Sequence, residues 1–196
     1  MGSLDEQLLL LARTRGHTPG AEHVVARFSR LGEHAGIWLA IGSAGSAVDG
    51  SRRDAWRRAT GTVALVYLLN TAIKRVVRRR RPALPGLEPL TDTPSDLSFP
   101  SAHASSSFAG ALVYSRLGLP ATPLYALAGG LSLSRLYLGV HYPSDVLAGA
   151  LLGTVLGRLL TSPAADLGAG TAGRSAAPVG VNGTLASATT SIESPR

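Results

Sequence analysis

Residues 134–145 read Ser134-Arg135-Leu136-Tyr137-Leu138-Gly139-Val140-His141-Tyr142-Pro143-Ser144-Asp145 and run into an uncharged stretch, 146–157, that closes at Arg158. Proline has a helix-like φ and lacks the N–H that a first helical turn leaves unsatisfied, so Pro143 predicts a helix start. Asp145 then falls in the first turn, where the helix dipole favours a carboxylate, and close to His141. A carboxylate on one imidazole nitrogen fixes the tautomer and leaves the other nitrogen free to attack or to take a proton. The plainer alternative is a helix-start Asp beside a polar loop His. Further along, Gly149, Gly153 and Gly157 recur at every fourth position, a smooth stripe that another backbone can approach closely. In a chain with 23 Gly, chance is the alternative.

Four more runs upstream share the apolar character of 146–157. Segments 35–48, 59–73 and 117–134 carry no charge, and 97–115 holds only His103. A spanning helix needs about 20 mostly apolar residues, so several runs must draw on charged neighbours for their full length; buried helices of a soluble core are the alternative. The composition favours the membrane. Hydrophobic residues make up 45% of the 196, mean hydropathy is +0.19, and charged residues are 16%, against about 25% in a typical soluble domain. The expected fold is all-α: a multi-pass bundle of about five to six helices in the plasma membrane, with its active site at one membrane face.

The length suits one domain, and the apolar content excludes disorder throughout. With no Cys, a disulfide framework, a zinc–thiolate site and a thiol nucleophile are excluded. Residues 1–34 read as an N-terminal amphipathic segment: Leu4, Leu8, Leu9 and Leu11 alternate with Asp5, Glu6, Arg13 and Arg15 until Thr18-Pro19-Gly20 interrupts them. No signal peptide pattern opens the chain. Residues 35–162 form the transmembrane domain, and 163–196, rich in Ala, Gly, Ser, Thr and Pro, read as a disordered tail. The net charge of +7, carried by eighteen Arg and one Lys, calls for anionic partners. Nucleic acid fits poorly with the apolar runs; membrane lipids and a phosphorylated substrate fit well.

Two other polar clusters sit at the ends of apolar runs, where such residues are costly. Lys74-Arg75-Val76-Val77-Arg78-Arg79-Arg80-Arg81-Pro82 closes the second run. Helical spacing places Lys74, Arg78 and Arg81 on one face, and Pro82 is expected to stop that helix. Guanidinium groups bind phosphate oxygens in pairs while an ammonium acts as a point charge. A topology anchor or lipid-head-group patch is the alternative, and the favoured reading for Arg75, Arg79 and Arg80. Ser98-Phe99-Pro100-Ser101-Ala102-His103-Ala104-Ser105 opens the third run. Pro100 and Ser101 suit a helix start, whose free N–H groups attract an anion, and His103 in that turn can exchange a proton near neutral pH. If all five runs span, the three clusters lie on one side of the membrane.

Together they resemble the three-part signature of the type-2 phosphatidic acid phosphatase family, within the acid phosphatase and vanadium haloperoxidase superfamily. The matching residues are Lys74 with Arg81-Pro82, Pro100-Ser101-Ala102-His103, and Ser134-Arg135 with His141 and Asp145. Ala102 stands where the family usually has Gly; it keeps the backbone N–H and suffers only if a positive φ is needed. The resemblance implies a metal-independent lipid phosphate phosphatase without a cofactor. His141 would be the nucleophile that becomes phosphohistidine, Asp145 would orient it, and His103 would protonate the leaving oxygen. Lys74, Arg81, Ser101, the Ala102 amide and Arg135 would hold the phosphoryl oxygens. A narrower resemblance, to the actinobacterial decaprenylphosphoryl-5-phosphoribose phosphatases, rests on Leu31-Gly32-Glu33-His34 with Trp38-Leu39, on Asp92-Thr93-Pro94-Ser95, and on the 98–104 stretch. It implies a lipid-linked phosphate monoester as substrate, in the supply of cell-wall arabinan precursors. Polyprenyl pyrophosphate, phosphatidic acid and phosphatidylglycerophosphate phosphatases share the motifs. The competing classes are a haloperoxidase-like site and a catalytically silent basic protein that binds anionic lipid.

Overall fold

Seven α-helices and two short 3-10 turns, with no strand, make up the described residues, 3–161, of the computed structural model. The helices are α1 (Leu4–Thr14), α2 (Pro19–Arg30), α3 (Gly36–Val48), α4 (Arg53–Val77), α5 (Ala102–Arg116), α6 (Ala121–Tyr137) and α7 (Pro143–Leu160). The turns are Glu33–Ala35 and Gly50–Arg52. The expected tail, 163–196, lies outside the described residues. All five apolar runs are found as helices, at α3 to α7.

Helix α5 is the axle of the bundle and packs against α3, α4, α6 and α7. Residues 103–107 and 109–114 are buried around its whole circumference. This is possible because most of them are Ala, Ser or Gly, which let neighbours approach. The buried hydroxyls are satisfied locally: Ser106 Oγ donates to Ala102 O at 2.8 Å, and Ser107 Oγ accepts from Trp38 Nε1 at 2.9 Å. Trp38, Trp56 and Tyr114 stack at the other end, with the Tyr114 ring 5.7 Å from Trp56 and 6.4 Å from Trp38.

Helix α7 lies along α5 through the expected glycine stripe. A methyl group at Gly149 would sit 2.5 Å from Ser101 O, and one at Gly153 only 2.1 Å from Ser105 O. The opposite face carries Leu147, Leu151, Val155 and Leu159, all more than half exposed. Among the described residues α7 is the one helix long and apolar enough to cross a membrane. Helices α3, α5 and α6 are shorter, of 13, 15 and 17 residues; α3 stops at Asp49 and α5 at Arg116, while α6 runs through Arg135 and closes just before the left-handed Gly139.

Helix α4 buries Trp56, Ala59, Val63, Val66, Asn70 and Lys74 at helical spacing, so its core-facing stripe delivers Lys74 to one end of the bundle. It then stops five residues before Pro82. Arg78 adopts a left-handed conformation, φ 55°, and returns its N–H to Lys74 O at 3.0 Å, which is how helices commonly close. The expectation that Lys74, Arg78 and Arg81 share a helical face is therefore corrected. Arg81 lies in the following connection, which folds back on itself through Ser98 N to Arg79 O at 2.8 Å and Arg81 N to Asp96 O at 3.1 Å.

The N-terminal segment folds as two helices against the bundle, α1 on α6 and α7, and α2 on α6. Ser3 and Glu6 form a reciprocal cap on α1, and Thr18 caps α2 just ahead of Pro19. Buried Arg13 ties α1 down by donating to Tyr137 O at 3.2 Å and Glu88 O at 2.8 Å.

Candidate active site

One end of the bundle brings together the last turn of α4, the first turn of α5, the last turn of α6 and the link from α6 to α7. A cavity of about 260 Å³ opens there. It is lined by Lys74, Arg81, Ala102, His103, Arg135 and His141, and also by Glu33, His34, Tyr67 and Thr71. The three polar clusters thus occupy the same end of the fold.

His141 is buried in the link between α6 and α7. Its Nδ1 faces Asp145 Oδ2 at 3.5 Å without a hydrogen bond in this state; such catalytic contacts often tighten only when substrate binds. Its Nε2 lies 3.3 Å from Arg81 Nη1, which donates. Burial first, then the charges of Arg81, Lys74 and Arg135, hold the His141 pKa well below its ordinary 6.5. The imidazole is therefore neutral at physiological pH, and its Nε2 lone pair faces Arg81 Nη1 in this state.

Asp145 has no exposed surface. Its Oδ2 accepts from the Tyr142 N–H at 2.9 Å and its Oδ1 from Arg79 Nη1 at 2.9 Å. Arg79 also donates to Ser144 Oγ at 2.7 Å and to Asp5 Oδ2 at 2.9 Å, and its guanidinium lies 4.2 Å above the Tyr142 ring centroid. Asp5 in turn accepts from the Ser144 N–H at 3.0 Å and from the Ser144 hydroxyl. The assignment of Arg79 to a head-group patch is corrected by these contacts: its fork is spent on two carboxylates. No local signal separated it from its neighbours in a run of four arginines, and its partner Asp5 lies 74 residues away.

The cations are held by oxygens that cannot neutralise them. Lys74 Nζ donates to Leu97 O at 3.0 Å and Ser98 O at 3.2 Å. Arg81 donates to Ser95 O and Val140 O, both at 2.7 Å. Burial draws its pKa down to about 10, against the pull of Asp145 and Asp96, so it stays a cation at neutral pH. Arg135 Nη1 donates to Ser29 Oγ at 2.7 Å while its Nε is buried without a partner. Three fixed positive charges converge on a cavity whose lining holds a single carboxylate, Glu33, so an anion is still called for.

His103 Nε2 lies 3.0 Å from Ser29 O. A carbonyl only accepts, so Nε2 carries the proton and Nδ1 is the nitrogen left for proton transfer. Gly32 packs against the ring: a methyl there would lie 2.6 Å from His103 Cδ2. Ala102 begins α5 as ordinary right-handed helix, so its Cβ brings no backbone penalty. Ser101 is fully buried behind the first turn, with an unpartnered Oγ, and its N–H donates to Asp145 O at 3.0 Å. Among the described residues no three His, Asp or Glu side chains are grouped as a metal site requires.

Helix arrangement and cavity together define a class: residues 55–166 match the PAP2 superfamily, and the chain belongs to it. Within that class it is similar to the decaprenylphosphoryl-5-phosphoribose phosphatase of Mycobacterium tuberculosis, 41% identical over 145 residues, 74% of this chain and 81% of that one. Among solved structures it is similar to Aquifex aeolicus LpxE, with TM-score 0.69 and 25% identity over 81% of this chain and 95% of that one. A Bacillus subtilis PAP2-type phosphatidylglycerolphosphate phosphatase shares the fold, with TM-score 0.66 and 24% identity over 83% and 85% of the two chains.

Proposed function

We propose that the protein is a multi-pass membrane phosphatase that removes a phosphate monoester from a lipid-linked substrate through a phosphohistidine at His141, the substrate being a polyprenyl-linked phosphoribose. The observation that carries this reading is the cavity where Lys74, Arg81 and Arg135 surround two histidines. The relative named for decaprenylphosphoryl-5-phosphoribose supports the substrate. The outward row of Leu147, Leu151, Val155 and Leu159 along α7 supports the membrane: water-facing helices reverse this pattern.

In the first step His141 Nε2 attacks phosphorus, an N–P bond forms, and the ester P–O bond breaks. With its Nε2–H held by Ser29 O, His103 enters this step as the imidazolium, and the proton on its Nδ1 passes to the departing oxygen. Charge on the three equatorial oxygens is met by Lys74, Arg81, which turns its Nη1 from His141 to the phosphate, Arg135 and the N–H groups that open α5. Asp145 holds Nδ1–H and stabilises the positive ring without taking its proton. In the second step water attacks phosphorus and gives a proton to His103. The N–P bond breaks, phosphate leaves, and both histidines regain their starting states. Because fixed side chains supply the positive charge, turnover is expected to persist in EDTA.

Protein purified in detergent with EDTA should release phosphate from lipid-linked phosphate monoesters. His141→Ala should lower the rate by about 10³ or more, and an acid-labile phosphoryl label should appear on the wild-type chain alone. An absolute need for added Mg²⁺, or an undiminished His141→Ala enzyme, refutes the proposal.

A further inference from the structure

The cavity is larger than its phosphate end requires. At about 30 Å³ for each water, 260 Å³ holds on the order of eight or nine water-sized groups, against five heavy atoms in a phosphate. Beyond the cations, His103 and His141, the lining includes Glu33 and His34, from the turn Glu33–Ala35, and Tyr67. Among the described residues that line the cavity, Glu33 is the one acid, and it is close enough to act on the charge of Arg135. A carboxylate beside an anion site works against the anion. Its use must lie with another part of the substrate, and an acceptor-only group matches a hydroxyl donor. His34 lies next to it with its ring 6.0 Å from that of Tyr67.

The turn is placed by unusual backbone. His34 and Ala35 both have positive φ, 51° and 60°, a conformation that costs a side-chain-bearing residue about 1–2 kcal/mol. It is pinned by Ala35 N to Gly32 O at 3.2 Å and Ile37 N to Leu31 O at 2.9 Å. Gly32, just before it, fits against the His103 ring. Glu33 and His34 line the same cavity as His103, so the alcohol that takes its proton leaves within a space whose wall they share.

We propose that Glu33 and His34, with the Tyr67 ring beside them, form a subsite that reads the hydroxyl groups of a sugar, so that the preferred ester is a sugar phosphate and not a simple alkyl phosphate. This rests on the phosphatase reading above and assigns the residues that select its substrate. Exposed Arg75, on the same cavity wall, is suited to a second anionic group further out, such as the diester that joins sugar to lipid.

The test compares kcat/KM of the full chain for farnesylphosphoryl-5-phosphoribose and for farnesyl monophosphate, which carries a phosphate monoester and no hydroxyl groups. The ratio of the two should fall about tenfold or more in Glu33→Ala and in His34→Ala, as the sugar loses a hydrogen-bond partner, and less in Glu33→Gln, which keeps an acceptor. Residual turnover of farnesyl monophosphate reports that each variant is folded. A ratio that stays put while both rates change together assigns Glu33 to charge balance for Arg135 and overturns the subsite. So does a wild-type enzyme without preference for the sugar. Phosphate release from neither compound refutes the phosphatase reading itself.

Discussion

Arg79→Ala should slow the enzyme without weakening its grip on phosphate. Arg79 does not line the cavity, yet it holds Asp145 Oδ1 at 2.9 Å, Ser144 Oγ at 2.7 Å and Asp5 Oδ2 at 2.9 Å. Stripping the cation from a fully buried carboxylate costs about 3–5 kcal/mol. Arg79 itself is 33% exposed, so water enters the gap and about 2–3 kcal/mol is the better figure. At about 2–4 °C for each kcal/mol in a chain of this size, that is a fall of about 4–12 °C in Tm. Asp145 freed on one side no longer fixes the His141 ring, and a misplacement of about 1 Å costs on the order of 10²-fold in rate. The expected readout is a kcat lowered about 10- to 100-fold with KM little changed. Arg79→Lys restores a charge but not a fork that reaches two carboxylates, and should recover less than half of the lost stability. Asp5→Asn should cost less after Arg79→Ala than in the native background, because the Arg79 contact is then already gone and only the bonds from Ser144 remain to be disturbed. A raised KM with normal kcat would make Arg79 a phosphate ligand and refute the positioning role, as would additive losses in the Asp5 cycle.

The acid limb of kcat/KM should lie below pH 6.5, since burial and three cations hold the His141 pKa beneath that value, and Arg81→Gln should move the limb to higher pH. Ionisation of the substrate is common to both enzymes and cancels in the comparison, so a limb that stays put or falls contradicts the electrostatic account. The unfolded chain binds this proton at about pH 6.5 and the folded chain only at lower pH, so stability should decline as pH falls below 6.5; a thermal-unfolding series of wild type against His141→Gln isolates that contribution. Gly153→Ala places a methyl group 2.1 Å from Ser105 O, a backbone atom that cannot step aside; thermal unfolding in detergent should show a loss of about 1–3 kcal/mol or more. Gly129→Ala on α6 meets nothing within 4 Å and should be neutral or stabilising by up to about 1 kcal/mol.

What was legible in the sequence was local. His141, Pro143 and Asp145 fall within one helix start, and the glycine stripe lies along one helix, so spacing alone orders them. Arg81 reached the expected cavity by an unexpected route, because the left-handed Arg78 ends α4 early and nothing in a run of arginines marks which one turns. The run of arginines does not single out Arg79, whose partners lie in α1 and α7, far apart in sequence. Ser29 was invisible for the same reason: it steadies Arg135 through its hydroxyl and His103 through its carbonyl, 106 and 74 residues away. Long-range pairs of polar groups leave no periodicity to read.

The fit of α7 onto α5 has a consequence for control of the reaction. Asp145 heads one of these helices and His103 the other, and at Gly149 and Gly153 the two meet backbone against backbone. Over those two turns no long side chain lies between the helices to absorb a displacement, so proton donor and carboxylate keep their separation as two prongs of a rigid fork do. A wedge driven between the far ends, a dozen residues from the chemistry, would spread the prongs and silence the enzyme while leaving every catalytic group in place.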